Sequence, residues 1–525
     1  MEELPDFLEP LPDAETMRGI DRWAIEQQGV PGLDLMERAG AAVAAAVERV
    51  APDGPVAVLC GKGNNGGDGL VVARLLRQAG REVATILIGP PGEMRGDALA
   101  NLERLPGPGP VRLDGTPWDG GAEPSGASGS PLADAVAVVD ALLGTGFAGS
   151  PHGEVAEAIA ALGRVQAPIV SVDVPSGVDA STGVVEGDAV HADATVTFHA
   201  AKPGLWIRPG KAHAGDVEVA PIGIPRGAPS AAAIGLIDER VLELLPRREG
   251  DSTKFVSGHV LVVGGSLGLT GAPAMAARAA MRAGAGYVTA LVPAGLQQVI
   301  AGSGIPELMT RGLPEADGAL SEAGVERVLE AAARGGALAL GPGLGRDEQA
   351  SVFARRLARA ARVPLVLDAD GLNAHAGRLQ ELPHRPAPTV LTPHAGELAR
   401  LLETETDEVQ AQRLAHARDA AARSGAIVVL KGDDTLVAHP DGRVAVSRGG
   451  SPALATAGTG DVLTGVVAAL LAQEVEPFAA ACAAVLMHAR AGRLAARAVG
   501  APEGVVAGDV IEALPRARGE EGTGG

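Results

Sequence analysis

The sequence predicts an α/β protein of two domains, each built on a parallel sheet covered by helices on both faces. Three observations carry this. Short Val/Ile/Leu runs alternate with helix-period segments, the alternation stops in a Pro/Ala-rich stretch at 225–233 and restarts after Lys254, and 525 residues exceed one ordinary core.

Taken in order, residues 17–50 read as helix, with Leu35, Met36, Ala39, Val43 and Val47 on one buried face. VAVLCG (56–61) is a buried strand, GLVVARLLRQAG (69–80) a helix stopped by Gly80, and VATILIG (83–89) the next strand. Residues 104–131, rich in Pro, Gly and Ser, read as a surface excursion. Strands at 135–146 and 168–177 flank a helix at 154–163, and strands at 194–200 and 216–225 close the first sheet. The second half repeats the theme through HVLVVGG, a helix at 272–283, YVTALVP, ALALGPGLG, PLVLDAD, TVLTPHAGEL and AIVVLKGDDT. A helix at 407–423 begins with acid and ends with Arg, as the helix dipole prefers. The predicted partition is 1–228, 235–517 and a disordered tail at 518–525.

Composition narrows the function. An acidic excess of 20 (64 minus 44) argues against nucleic acid and anionic membrane as partners. Cys60 and Cys482 are the two cysteines and supply no disulfide framework, so a reducing, cytoplasmic setting is expected. The Pro-broken acidic N-terminus is unlike a signal peptide, and no apolar run is long enough to span a bilayer. Lysines number five among 44 basic residues, so one beside a glycine motif draws attention.

The motifs fall at strand ends, where parallel sheets bind ligands. CGKGNNGGDG (60–69) can cradle a phosphate on backbone amides while Asn64, Asn65 and Asp68 meet polar groups; a ligand-free glycine turn is the plainer alternative. VVDALLGTG and SVDVPSG place Asp140, Asp173 and Ser176 beside further glycine loops. Each acid alone could cap a turn, but together they suggest a cation site plus a general acid/base. In the second half, GPGLG, DADGLN, TPHAGE and LKGDDT precede SPALATAGTGDVLTG, a glycine turn opening a helix with Asp461 at the junction. A carboxylate there would repel a phosphate, so Asp461 suits a base acting on a hydroxyl near a phosphoryl group, with a simple helix N-cap as the alternative. Lys431 suits a nucleotide phosphate, His394 is as readily a surface turn histidine as a ligand, and His488 reads as a core histidine.

These motifs together carry a resemblance. From MRGIDRWAIEQQGVPGLDLMERAG through GNNGGDG and VDVPSG to FHAAKPG, the first half resembles the NAD(P)H-hydrate epimerase family, and the second resembles the ribokinase-like ADP/ATP-dependent NAD(P)H-hydrate dehydratases. The resemblance implies a Rossmann-like three-layer sandwich followed by a ribokinase-like α/β domain. It implies that Asn64, Asn65, Gly66, Gly67 and Asp68, with Gly144, Thr145, Gly146, Phe147, Ala148, Gly149 and Ser150, bind the hydrated dinucleotide, and that Asp173 meets it near C6 as the proton-transfer group. It gives Asn65, Asp140 and Ser176 to a potassium ion. In the second half it gives Ala272, Gly343, His394 and Asp461 to the hydrate, with Asp461 catalytic, and Lys431, Gly432, Asp433, Asp434, Thr435 and Gly460 to ADP, with Mg2+. A homo-oligomer is expected. A small-molecule kinase and a non-catalytic scaffold are the rival readings; the LKGDDT and TPHAGE pair argues against the first, and the acids of the first half against the second.

Overall fold

The computed structural model describes residues 3–118, 131–229, 231–383 and 385–519. The chain folds into two compact units, Pro10–Ile234 and Met1–Glu9 with Gly235–Gly525. The break follows the Pro/Ala stretch, but the first nine residues do not stay with the unit they precede. Strand β1 (Leu8–Pro10) pairs beside β8 (Ile234–Ile237) at the edge of the second sheet. Phe7 and Leu8 are buried in that unit's core, which outweighs their place in sequence.

In the unit Pro10–Ile234, β2 (Val56–Cys60), β3 (Val83–Leu87), β4 (Ala137–Ala141), β5 (Ile169–Val172), β6 (Ala194–Phe198) and β7 (Asp216–Ala220) form one sheet in the order β3-β2-β4-β5-β6-β7. Every pairing is parallel. Val58, Val139 and Val170 fill one face and Ala57, Val138 and Ile169 the other, which is why these strands read as continuous apolar runs. Chain order reverses between β2 and β4, so a crevice opens beyond their carboxyl ends.

Three expected helices differ. The 17–50 helix is two: α1 (Ala14–Arg22), continued by a short π-helical turn, and α2 (Gly32–Val50), separated where Gly29 takes φ +70° and Pro31 denies a helical N–H. Helix α3 begins at Asn64 (Asn64–Gln78) rather than Gly69, so Gly66 and Gly67, expected to meet the ligand, lie inside its first turns. A Cβ on Gly66 would stand 1.8 Å from the Gly61 carbonyl oxygen, an approach that glycine alone allows. The 407–423 helix is broken into Thr406–Ala411 and Arg413–Ser424, because Gln412 takes φ −130°, ψ 49°. Of the 104–131 excursion, 119–130 lies outside the described residues; Val111 bridges Ile86, and Arg112 stacks on Trp118.

The second unit carries an 11-stranded sheet. Strands β9 (His259–Val263), β10 (Tyr287–Pro293), β11 (Met309–Leu313), β14 (Ala337–Leu340), β15 (Leu365–Leu367), β16 (Thr389–Leu391) and β17 (Ile427–Leu430) run parallel, and β18 (Leu436–Ala438) and β19 (Val444–Val446) continue the sheet antiparallel toward β8 and β1. A small hairpin, β12 (Glu315–Ala316) and β13 (Ala319–Leu320), stands apart. The order β14-β9-β10 again reverses at β9, which places the loops after β9 and β14 in one crevice. The expected tail disorder does not begin at 518: the last helix, Ala507–Arg518, runs through Pro515, and Arg518 donates to the carbonyls of Ala283 and Pro246. Residues 520–525 lie outside the described set. Among the described residues no helix is long and apolar enough to cross a membrane.

Candidate functional sites

Beyond β2 and β4 lies a cavity of about 850 Å³ lined by α1, the start of α3 and the loops after β2, β4, β5 and β6. Asn64, Asn65, Asp68, Gly144, Thr145, Gly146, Phe147 and Asp173 all line it. So do Asp21 and Lys202, which the motifs alone did not single out.

Asp173 sits in the left-handed region at φ +66°, an uncommon conformation for a residue with a Cβ. Its carboxylate is fully engaged. Lys202 Nζ donates to Oδ1 at 2.7 Å and Thr197 Oγ1 at 3.1 Å, while the Thr145 hydroxyl and amide donate to Oδ2. Burial alone would raise this carboxyl, but the Lys202 ammonium and the hydroxyl donors outweigh it and hold it below the usual range. Lys202 is 1% exposed and spends its other donors on Thr197 Oγ1 and the Phe198 carbonyl. Burial pushes Asp68 well above the usual range, and the charges of Asp173 and Asp21 push it further.

Asp140 is fully buried at the end of β4, accepting from Ser176 Oγ at 2.5 Å, Ser176 N and Ser171 Oγ at 2.9 Å, and Leu142 N at 3.3 Å. Burial outweighs these donors and raises its pKa. Ser176 Oγ also accepts from Leu143 N. Asn65 packs against Gly144 on the same loop, and both its side-chain amide atoms are buried without a partner. Asn65, Asp140 and Ser176 thus converge on the loop 142–144. A buried amide oxygen without a partner can accept a cation as a ligand.

In the second unit, Gly458 caps the helix Thr459–Ala472 with φ +90°, and no side chain among the described residues caps the first helical amides. Asp461 occupies that first turn. Burial, then the charges of Asp368 and Glu397, push its carboxyl up to about 7 despite Lys431. Lys431 Nζ lies 3.0 Å from Asp368 Oδ1 and 3.7 Å from Glu397 Oε2. Burial would discharge it, but these carboxylates prevail and keep it an ammonium. Thr464, on the Asp461 helix, donates to Asp368 Oδ2 at 2.7 Å, which ties the strand end after β15 to the glycine turn.

Ala272 begins α6 (Gly271–Arg282), and a Cβ on Gly343 would meet it at 3.2 Å, so these two expected substrate residues adjoin across the β9/β14 crevice. His394 caps the helix Ala395–Leu402; its Nδ1 accepts from Gly396 N and Glu397 N, and partial burial lowers its pKa. Gly460 faces Lys431, whose Nζ a Cβ there would meet at 3.4 Å. Thr435 closes the 431–435 loop by donating to the Gly432 carbonyl at 2.6 Å, and a Cβ on Gly450 would meet Asp433. Asp434 is fully buried in an ion pair with Arg413, so its side chain braces the loop from behind. His488, expected as a core residue, is held neutral by burial, at about 4, against the backbone of Thr459.

The comparisons with known proteins bear on both units. The family described as YjeF-related protein N-terminus matches residues 32–204, and NAD(P)H-hydrate dehydratase matches 260–516. The bifunctional NAD(P)H-hydrate repair enzyme Nnr of Moorella thermoacetica is 42% identical over 96% of this chain and 95% of its own. That of Salinibacter ruber is 41% identical over 97% and 96%. The solved ADP/ATP-dependent NAD(P)H-hydrate dehydratase from Bacillus subtilis, co-crystallized with ATP/Mg2+, is 31% identical over 53% of this chain and 95% of its own, with a TM-score of 0.46.

Proposed function

The chain belongs to the family of bifunctional NAD(P)H-hydrate repair enzymes, and from that premise we propose how its residues divide the work. It joins an epimerase domain to an ADP/ATP-dependent dehydratase domain. The S hydrate of NADH or NADPH is dehydrated in the second unit, and the R hydrate is first inverted at C6 in the first.

For dehydration, the observation that carries the reading is Asp461, a carboxyl poised near neutrality at the amino end of a helix and facing Lys431. Hydroxide is a poor leaving group. Asp461 takes the proton of the C6 hydroxyl as that oxygen attacks the terminal phosphoryl of the nucleotide, and the turn's amides and Lys431 meet the transferring charge. Phosphate then departs, pushed by the ring nitrogen, and loss of a proton from C5 restores the double bond. With ADP as donor the products are NAD(P)H, AMP and phosphate. The loop 431–435 and Gly460 hold the nucleotide, and Ala272, Gly343 and His394 hold the hydrate. Three carboxyls, Asp368, Glu397 and Asp461, face the single ammonium of Lys431, a surplus that suits Mg2+ carried on the phosphates, where it would neutralise their charge.

For epimerisation, Asp173 is the proton-transfer group at C6, and the glycine loops 64–68 and 144–150 hold the dinucleotide. Asn65, Asp140 and Ser176 would hold potassium, whose charge would fix these loops. The orphaned Asn65 amide supports that assignment.

The decisive experiment is recovery of reduced-nicotinamide absorbance from hydrated NADH on adding ADP and magnesium. ADP is expected to support turnover and AMP to fail, since AMP has no β-phosphoryl group to transfer. Lys431→Ala is expected to weaken nucleotide binding, measured by calorimetry, because it removes the ammonium that faces the turn. Undiminished turnover with AMP, or with no nucleotide, would mean phosphoryl transfer is not the mechanism.

A further inference from the structure

We propose that Asp68 is the catalytic acid of the epimerising site, lending a proton to the ring nitrogen of the hydrate while Asp173 takes one from its C6 hydroxyl. The proposal rests on the epimerase reading above and adds a residue role to it.

The geometry comes first. Asp68 stands in the opening turns of α3, 9% exposed, on the wall of the 850 Å³ cavity that also exposes Asp173 and Lys202. No hydrogen bond reaches its carboxyl among the described residues, whereas both oxygens of Asp173 are occupied. One ammonium can neutralise one carboxylate, and Lys202 is committed to Asp173 by a 2.7 Å contact. A second, unpaired carboxyl in the same enclosed space is more cheaply buried with its proton on. Burial and the neighbouring charges of Asp173 and Asp21 act in that direction, against the weaker pull of Lys202. Among the carboxyls that line the cavity, Asp68 and Asp173 are pushed to opposite protonation states, the arrangement that divides acid from base.

The chemistry uses both. C6 of the hydrate carries a hydroxyl and the ring nitrogen, so its configuration can be lost by opening the ring. Asp173 Oδ2 exchanges the Thr145 hydrogen bond for the substrate hydroxyl and takes its proton. As the C6=O bond forms, the C6–N1 bond breaks, its electron pair goes to N1, and N1 takes the proton from Asp68. Rotation about C5–C6 presents the other face. N1 then attacks C6 and returns its proton to Asp68, while the new C6 oxygen recovers the proton held by Asp173. Both carboxyls end as they began, and no other reactant is consumed.

The test uses the full chain without nucleotide, following interconversion of the two C6 epimers by chromatography. Asp68→Asn keeps shape and an N–H donor but has no proton to give. It is expected to lose about 100- to 10,000-fold in kcat, with hydrate affinity within about threefold by calorimetry. Because the Asp68 carboxyl has no hydrogen-bond partner to orphan, the substitution should fold. If Asp68→Asn is unfolded by circular dichroism, Asp68→Ala with added formate decides: acceleration by formate supports the acid role, and no acceleration overturns it. A rate within about threefold of the unmodified chain, or a loss confined to affinity, also overturns it. If the unmodified chain itself does not interconvert the epimers, the epimerase reading falls and takes this assignment with it.

Discussion

Asp461→Asn is expected to lose dehydration by about 100- to 10,000-fold, the usual worth of a positioned base, while epimerisation in the same molecule is unchanged. The amide preserves shape at the helix end, so nucleotide binding should survive and the loss should fall on kcat. The unmodified protein supplies a second signature. A carboxyl raised to about 7 is protonated below that pH and cannot accept the hydroxyl proton. Its dehydration rate should therefore climb through neutrality, falling about tenfold per pH unit on the acid side. Asp461→Asn should flatten that limb. A variant that turns over hydrate at the normal rate would remove Asp461 from the mechanism.

The second large effect tests the division of labour. Given both C6 epimers with ADP and magnesium, the unmodified chain should convert the whole mixture. Asp173→Asn should stop once the directly usable epimer is gone, leaving only slow spontaneous inversion. Asparagine is preferred to alanine because its amide oxygen still accepts from the buried Lys202 ammonium, which alanine would leave with only Thr197 Oγ1 and the Phe198 carbonyl. Adding the Asp461→Asn chain, which keeps its epimerising unit, should restore completion, and that rescue separates lost chemistry from lost folding. Completion by Asp173→Asn alone at the unmodified rate would show that Asp173 is not the epimerising residue.

Much of both sites was legible because parallel sheets present their ligand residues at strand ends, and strand ends are marked by glycine. Asp140 and Asp173 were singled out that way, and Asp461 by the glycine turn that opens its helix. Lys202 escaped because a lysine is ordinarily solvated, and nothing local in FHAAKPG says that this one is buried 2.7 Å from a carboxylate. Asp21 escaped because α1 reaches the cavity only by tertiary packing. In the second unit, Thr464 and Asp368 meet across 96 residues of chain, a contact no window of sequence contains. The glycines of 64–68 misled in the opposite direction. They read as a turn, yet they are helical, and Gly66 is there for close approach to Gly61. The break at Gln412 has no glycine or proline to announce it.

The company that Met1–Glu9 keeps with Gly235–Gly525 has a consequence for how the protein is made. The dehydratase unit is discontinuous in the gene, with the epimerase unit spliced between its first strand and the rest. On the ribosome β1 emerges first and waits for β8, at Ile234–Ile237, roughly ten to forty-five seconds later at 5–20 residues per second. The intervening unit can complete its own sheet in that time. Cutting the gene at 234/235 would thus leave β1 and the first residue of β8 on the wrong product and the rest of β8 as an uncovered edge, the kind of edge that recruits other chains. A self-sufficient dehydratase fragment would need its first nine residues carried across the cut.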